Sequence, residues 1–304
     1  MSLQERVDTL LGRGSKQRTL EEKEQLLGYG LILPSILLVS LIILYPLGYN
    51  IYLSFHEVPL APGEEPTFVA VEHYTSLLSD SAFWEALYNT IIFTFFSDLL
   101  ATAGGLIAAL LLNRAFRGRR LVRGLMLLPY VAPIIAVAFA WRWMLDPLFG
   151  IVPYFLNSVL SLNLGTVDLL GNSDTAIWSV IIFDAWRYFP FAFLMLIARV
   201  QAIPEEMYEA ARIDGAGWFA QFKDITLPEL KYILATVFLL RWIWNFNKFA
   251  DVWLLTRQVT TLPIFTYQTA FANFELGLGA AISMILFLFL ISFVLIYVNT
   301  VLEW

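Results

Sequence analysis

The stretch from Gly28 to Phe55 runs for 28 residues without one Asp, Glu, Lys or Arg. A bilayer's hydrocarbon layer is about 30 Å thick, and an apolar helix of about 20 residues crosses it. This segment therefore excludes a purely soluble globule and predicts a membrane helix. A secretory leader would be shorter in its apolar part and closer to the N-terminus. Here a polar and charged arm, residues 1–27, comes first, so the segment reads as a permanent span. Composition agrees: 59% of residues are hydrophobic and 14% charged, against roughly 45–50% and about 25% in soluble domains. Disorder, coiled coil and nucleic-acid binding are disfavoured on the same grounds. With no Cys there is no disulfide frame and no thiolate metal or redox site.

A second uncharged stretch, Leu276 to Leu302, is also long enough to cross. Between the two lie apolar segments carrying isolated charges, at about 83–112, 121–145, 176–202 and 232–256. The expectation is an all-α membrane protein with a transmembrane domain over residues 28–304. It has six spans, the outermost at about 28–55 and 276–302, and both termini lie on one side. Lys and Arg placement sets the side, because basic residues concentrate in cytoplasmic loops. Arg6, Arg13, Lys16, Arg18 and Lys23 lie in the arm; Arg114, Arg117, Arg119, Arg120 and Arg123 follow the second span; Arg199, Arg212, Lys223 and Lys231 follow the fourth. The other connections hold one basic residue, Arg257. The arm, both termini and the two basic connections are expected in the cytoplasm. The remaining connections, punctuated by Pro, Gly and Asn, read as ordered loops on the opposite face.

No G-x-x-x-x-G-K-[ST] phosphate loop and no H-E-x-x-H pair occurs. Two His residues, His56 and His73, do not suggest a ligand pair or a Ser-His-Asp set. Neither a catalytic residue nor a metal ligand is predicted. The connection at about 203–231 is more informative. Pro204 suits the first helical position, where its missing N–H costs nothing, and Glu205 and Glu206 complement the positive end of the helix dipole. Gly215 suits the left-handed residue past the C-terminus. Trp218–Thr226 then predicts a second short helix, ended by Leu227-Pro228 before the fifth span. Ala210, Ala211 and Gly215 leave room for another surface to approach.

Within this connection, Glu209-Ala210-Ala211, three residues, Gly215, nine residues, Ile225, one residue and Leu227-Pro228 form a spaced pattern. It resembles the EAA loop of the inner-membrane permeases of binding-protein-dependent ABC importers. Leu128-Pro129-Tyr130, Asn245-Phe246-Asn247, Leu254-Leu255-Thr256 and Ala280-Ala281-Ile282-Ser283 extend the resemblance over nearly the whole chain. They are similar to the carbohydrate-type subfamily, the first permease of a pair in maltose and glycerol-phosphate importers. The resemblance implies a type I ABC importer permease fold in the bacterial or archaeal inner membrane. The partners it implies are a second homologous permease, two ATPase subunits that bind ATP and Mg, an extracytoplasmic solute-binding protein and a carbohydrate. This chain itself would carry no cofactor and no ATPase site. Glu209, Ala210, Ala211, Gly215, Ile225, Leu227 and Pro228 would form the element that couples to the ATPase. One departure stands out: such permeases usually carry a Gly-Gly-Pro turn after Leu-Thr, and this chain has Arg257-Gln258-Val259.

Ionisable groups inside spans are costly and face a bundle interior or a wet cavity. Arg241, Trp244, Asn245 and Lys248 follow i, i+3, i+4, i+7 and share a helical face. Asp184, Arg187 and Tyr188 precede Pro190, a kink candidate, and Tyr130 precedes Pro133. By resemblance these eight positions, Tyr130, Asp184, Arg187, Tyr188, Arg241, Trp244, Asn245 and Lys248, contact the sugar, with aromatic faces covering its apolar side and polar groups bonding its rim. Only Tyr130 and Asn245 keep the family's residue type. Two arrangements are open at this point. Asp184 with Arg187 and Lys248 with Asp251 pair locally as i, i+3 neighbours, or the cations line a positive pocket for an anionic sugar. Asp98 is expected to bond a neighbouring helix, and Arg142 to snorkel at its span's outer end. The competing class is an ion-gradient-driven secondary transporter, which predicts repeated halves with broken helices; no sequence repeat is visible.

Overall fold

The computed structural model describes residues 20–59, 61, 63–161 and 166–302. The arm's Arg6, Arg13, Lys16 and Arg18 lie outside the described residues. The chain divides into two units, residues 1–52 and 53–304. The first holds α1, Leu20–Val39, a π-type turn at Ser40–Leu44, and most of α2, Tyr45–Ser54. Leu27–Ser54 carries no charged residue, and Tyr45, Tyr49 and Tyr52 stack along it at 6.4 and 6.2 Å.

The second unit opens with an antiparallel pair, β1 (His56–Glu57) and β2 (Thr67–Phe68), in which His56 faces Phe68 and Glu57 faces Thr67. Then follow α3, Glu72–Ser79, and α4, Ser81–Asn113, whose first turn is capped by the Asp80 carboxylate accepting from Ala82 N. Next come α5, Arg119–Met126, α6, Leu128–Val131, α7, Ile134–Met144, and α8, Ile151–Tyr154. The long α9, Ser173–Val200, runs through Pro190 without a break. The remaining helices are α10, Glu205–Ile213; α11, Trp218–Gln221; α12, Leu227–Phe246; α13, Ala250–Leu255; α14, Leu262–Tyr267; and α15, Leu276–Tyr297.

Four of the described helical stretches are long and apolar enough to cross a membrane: 27–54, 81–113, 173–200 and 276–302. The segment expected as a third span is broken. Ala132 turns extended before Pro133, because proline disfavours the α conformation in the residue ahead of it, and Arg119–Val131 meets Ile134–Met144 at 94°. The pair supplies one further candidate span if counted together. The segment expected as a fifth span is α12, about 30 Å long by helix rise. Glu229, Lys231 and Arg241 make it less apolar than the other four, and its helix stops at Phe246 instead of running to Thr256.

The unit's axis is the crossing of α4 and α9. Thr94, Ser97, Asp98, Ala101, Gly105, Ala108 and Ala109 recur at three- and four-residue steps and are all buried. Small side chains let two backbones approach closely where lipid gives no hydrophobic drive to associate. At Gly105 a Cβ would stand 2.7 Å from Phe193 N and 2.9 Å from Ala192 C. The end of this crossing near Leu112 and Val200 is filled by Leu112, Phe193, Leu196, Val200, Leu230 and Val237.

Candidate functional site

Two regions gather the residues that the sequence singles out. The first is the hook between α9 and α12. Pro204 occupies the cap position of α10, one residue earlier than expected, with extended backbone (φ −60°, ψ 132°), and Glu205 and Glu206 form the first turn. At the other end Gly215 takes φ +83°, Gly215 N donates to Arg212 O at 3.1 Å and Ala216 N to Ala211 O at 2.8 Å. These two bonds are a Schellman closure, which needs a left-handed residue that glycine supplies without strain. A Tyr208 hydroxyl–Thr226 Oγ1 hydrogen bond of 2.9 Å ties α10 to the turn leading into α12. Leu227-Pro228 does not end a helix as expected. The chain runs from α11 through a π-type turn, Phe222–Thr226, into α12, with Pro228 in that helix's first turn. There its missing N–H is tolerated, and the wide turn absorbs its ring.

Glu209, Ala210 and Gly215 are exposed, Ala211 is half-buried, and Leu227 and Pro228 are exposed at the hook's base. Ile225 differs from the others: it is buried and anchors the hook from beneath. The structure adds Ile213, Trp218 and Phe219, exposed by 86, 61 and 69%. Sequence reasoning passed over them because apolar residues in a short helix are expected to point inward. The signal available was their position on either side of Gly215, where no neighbouring element is close enough to cover them.

The second region lies where α4, α9, α12 and α13 meet. Arg241 bridges two helices, with Nε 2.9 Å from Asp98 Oδ1 and Nη2 2.9 Å from Asp184 Oδ2. Lys248 pairs with the other Asp184 oxygen, and Arg187 Nε lies 3.7 Å from Asp251 Oδ1. Asn245 Nδ2 donates to Asp98 and Asp184, at 3.2 Å each. Three cations and three carboxylates thus close into a neutral cluster, the condition under which buried charge is tolerated. The local i, i+3 pairings are corrected. Lys248 and Asp251 do not share a helical turn, because α12 ends at Phe246 and α13 begins at Ala250. Asp184 does share a helix with Arg187, but both its oxygens are taken by Arg241 and Lys248.

The eight positions assigned to sugar contact therefore divide. Asp184, Arg187, Arg241 and Asn245 are buried inside the cluster. Tyr130 and Trp244 are exposed, and Tyr188 and Lys248 are half-buried. Trp244 turns out of the face that Arg241 and Asn245 share. The Tyr188 ring carries the Lys248 ammonium at 3.6 Å and the Arg187 and Arg241 guanidiniums at 5.4 and 5.3 Å, a cation–π stack that fixes the ring. From Tyr188 an aromatic wall extends ring to ring: Tyr188–Tyr130 at 5.9 Å, Tyr130–Phe191 at 6.4 Å and Phe191–Trp244 at 4.9 Å. Phe191 was not foreseen, although it follows Tyr188 by three residues on the same helix.

Asp98 bonds a neighbouring helix as expected, through Arg241. Arg142 lines a cavity of about 250 Å³ with Asp146, Thr256, Arg257 and Gln258. Burial, and then the like charge of Arg142, lower the Arg257 pKa. The Arg257-Gln258-Val259 turn is closed by Thr256, whose hydroxyl accepts from Gln258 N at 3.0 Å and donates to Leu170 O at 2.8 Å. Val259 is buried beneath it.

Several known proteins are similar to this chain in sequence or in fold. The chain is 41% identical over 266 residues to the inner membrane ABC transporter permease protein YcjO of Escherichia coli, covering 88% of this chain and 91% of that one. It is 35% identical over 287 residues to the trehalose/maltose transport system permease protein MalF of Thermococcus litoralis, covering 92% and 95%. A chain in the crystal structure of a bacterial alginate ABC transporter, in complex with alginate pentasaccharide-bound periplasmic protein, superposes with a TM-score of 0.77. It is 21% identical, with 91% of this chain and 94% of that chain covered. That likeness places the present fold with the type I ABC importer permeases. Residues 101–303 match the family described as binding-protein-dependent transport system inner membrane component. The chain belongs to that family of ABC transporter permeases.

Proposed function

We propose that this chain is one permease subunit of an ATP-driven importer that brings a sugar, oligosaccharide or sugar derivative into the cytoplasm. It would cross the inner membrane six times, with the broken α5–α7 segment and α12 completing the four uninterrupted spans and both termini inside. A second permease, two ATPase subunits and a solute-binding protein would complete the complex, with nucleotide and Mg held by the ATPases. The observation that carries this reading is the hook, an exposed helix closed by Gly215 that presents Ile213, Trp218 and Phe219 beside Glu209 and Ala210. Ligand-driven movement requires contacts that differ between two states, and such a projecting apolar tip offers them to a separate motor.

On the sugar's side, the wall of Tyr130, Tyr188, Phe191 and Trp244 would cover an apolar sugar face, with Lys248 at its edge. Asp184, Arg187, Arg241 and Asn245 would hold that wall from behind and not touch the substrate. The relatives' names, a trehalose/maltose permease among them, favour a carbohydrate.

The test is uptake into proteoliposomes containing the complete complex. Accumulation is expected to require ATP and the ATPase subunits, and an ion gradient is expected to have no effect. Gly215→Trp should leave the complex assembled while abolishing ATP-dependent uptake. Accumulation driven by an ion gradient alone would replace this reading with the secondary-transporter one.

A further inference from the structure

The aromatic wall and the charge cluster behind it are built from residues 86–113, 124–141, 175–198 and 232–256. Together these segments carry six charged residues, the cations Arg187, Arg241 and Lys248 and the anions Asp98, Asp184 and Asp251. The cluster leaves none of the six unmatched. Arg241 answers Asp98 and Asp184, Lys248 answers Asp184, and Arg187 answers Asp251.

Two of the cations reach the wall itself. The Lys248 ammonium lies over the Tyr188 ring at 3.6 Å, and Arg187 Nη1 donates to Pro129 O at 3.4 Å, beside Tyr130. Neither is offered to a ligand. Their side chains are only 10 and 9% exposed, the first held by Asp184 and the second faced by Asp251. Asp251 is buried and comes from α13, beyond the end of α12, so it draws the Arg187 charge inward. A molecule on this wall therefore meets aromatic faces and no unpaired charge. Such faces suit the C–H side of a sugar. A uronate or sulfonate would give up hydration that no free cation replaces, and an amino sugar would find no free carboxylate. Lys248 could turn to an anion only by leaving Asp184 short of a partner in the interior.

We propose that this wall takes uncharged sugar units, and that Asp251 sets the selectivity by holding the Arg187 charge out of the substrate's reach. This rests on the wall being the sugar's contact in the preceding reading. Asp251 acts through Arg187 and touches no substrate, so it is a positioning residue. Its effect is on the choice between neutral and anionic sugars, which a purely structural ion pair would not alter.

The test is equilibrium dialysis of radiolabelled sugars against the purified permease–ATPase complex, with the solute-binding protein omitted so that its own selectivity does not enter. The probes are the trisaccharides of glucose, galactose and mannose, each beside the trisaccharide of its uronic acid. The wild-type complex should bind a neutral trisaccharide with an affinity that does not change with salt, and Trp244→Ala should weaken that binding. The matching uronate should bind roughly tenfold more weakly or worse. Asp251→Asn frees one positive charge beside the wall, so it should tighten uronate binding about tenfold, more at low salt than at high, and leave the neutral sugar unchanged. A wild type that holds the uronate as tightly as the neutral sugar would overturn the proposal while leaving the carbohydrate reading in place. An unchanged ratio in an assembled Asp251→Asn complex would do the same. Retention of no sugar from either series would remove the carbohydrate reading and this proposal together. Should Asp251→Asn not assemble, the wild type's ratio and its salt dependence decide alone.

Discussion

Asp184 shows how much one residue carries in this fold. It is fully buried, and its two oxygens answer Arg241, Lys248 and Asn245, which arrive from a single partner segment. Removing one partner of a buried ion pair typically costs about 3–5 kcal/mol, because an uncompensated charge remains. Asp184→Asn strands part of two cations at once. It should lower the complex's thermal midpoint by several degrees or abolish assembly, as read by size exclusion and thermal unfolding. Trp244→Ala should behave oppositely. Its side chain supports no charge and is exposed, so the complex should assemble normally while the sugar concentration for half-maximal uptake rises several-fold. Equal loss of assembly in both variants would make the aromatic wall structural.

Among the elements, the hook owes its shape to caps more than to burial. Arg212 and Glu205 form an ion pair at 3.2 Å, but both are exposed, and such pairs contribute about 0–1 kcal/mol. The Schellman closure and the Tyr208–Thr226 bond set the angle at which α10 leaves the bundle. Tyr208→Phe removes that bond for about 1 kcal/mol and should cut coupled uptake several-fold with assembly unchanged. Gly215→Ala meets nothing within 4 Å, so its effect is limited to left-handed strain of about 1–2 kcal/mol. It should impair uptake less than Gly215→Trp does, and a comparison of the two uptake rates checks this.

At the largest scale, the α4–α9 crossing is the fixed beam against which the other helices of the second unit are set. Gly104 and Gly105 give a paired test. A Cβ at Gly105 would strike the Ala192–Phe193 backbone, whereas one at Gly104 would meet Phe189 Cβ at an ordinary 3.5 Å. Overpacking of this kind costs about 1–3 kcal/mol, so Gly105→Ala should lower the thermal midpoint by several degrees. Gly104→Ala should leave it within a degree.

The uncharged runs at 28–55 and 276–302, the proline ahead of α10 and the glycine behind it were legible without coordinates. Each depends on residues within a few positions of one another, where apolar length, dihedral limits and capping act locally. Tertiary structure alone decided which carboxylate meets which cation, that Ile225 is hidden while Ile213 is bare, and that α7 turns away at a right angle. The ion pairs and hydrogen bonds of this cluster join positions 57 to 147 apart in the chain. Such partners are selected by where helices cross, and side-chain packing along the whole crossing fixes that.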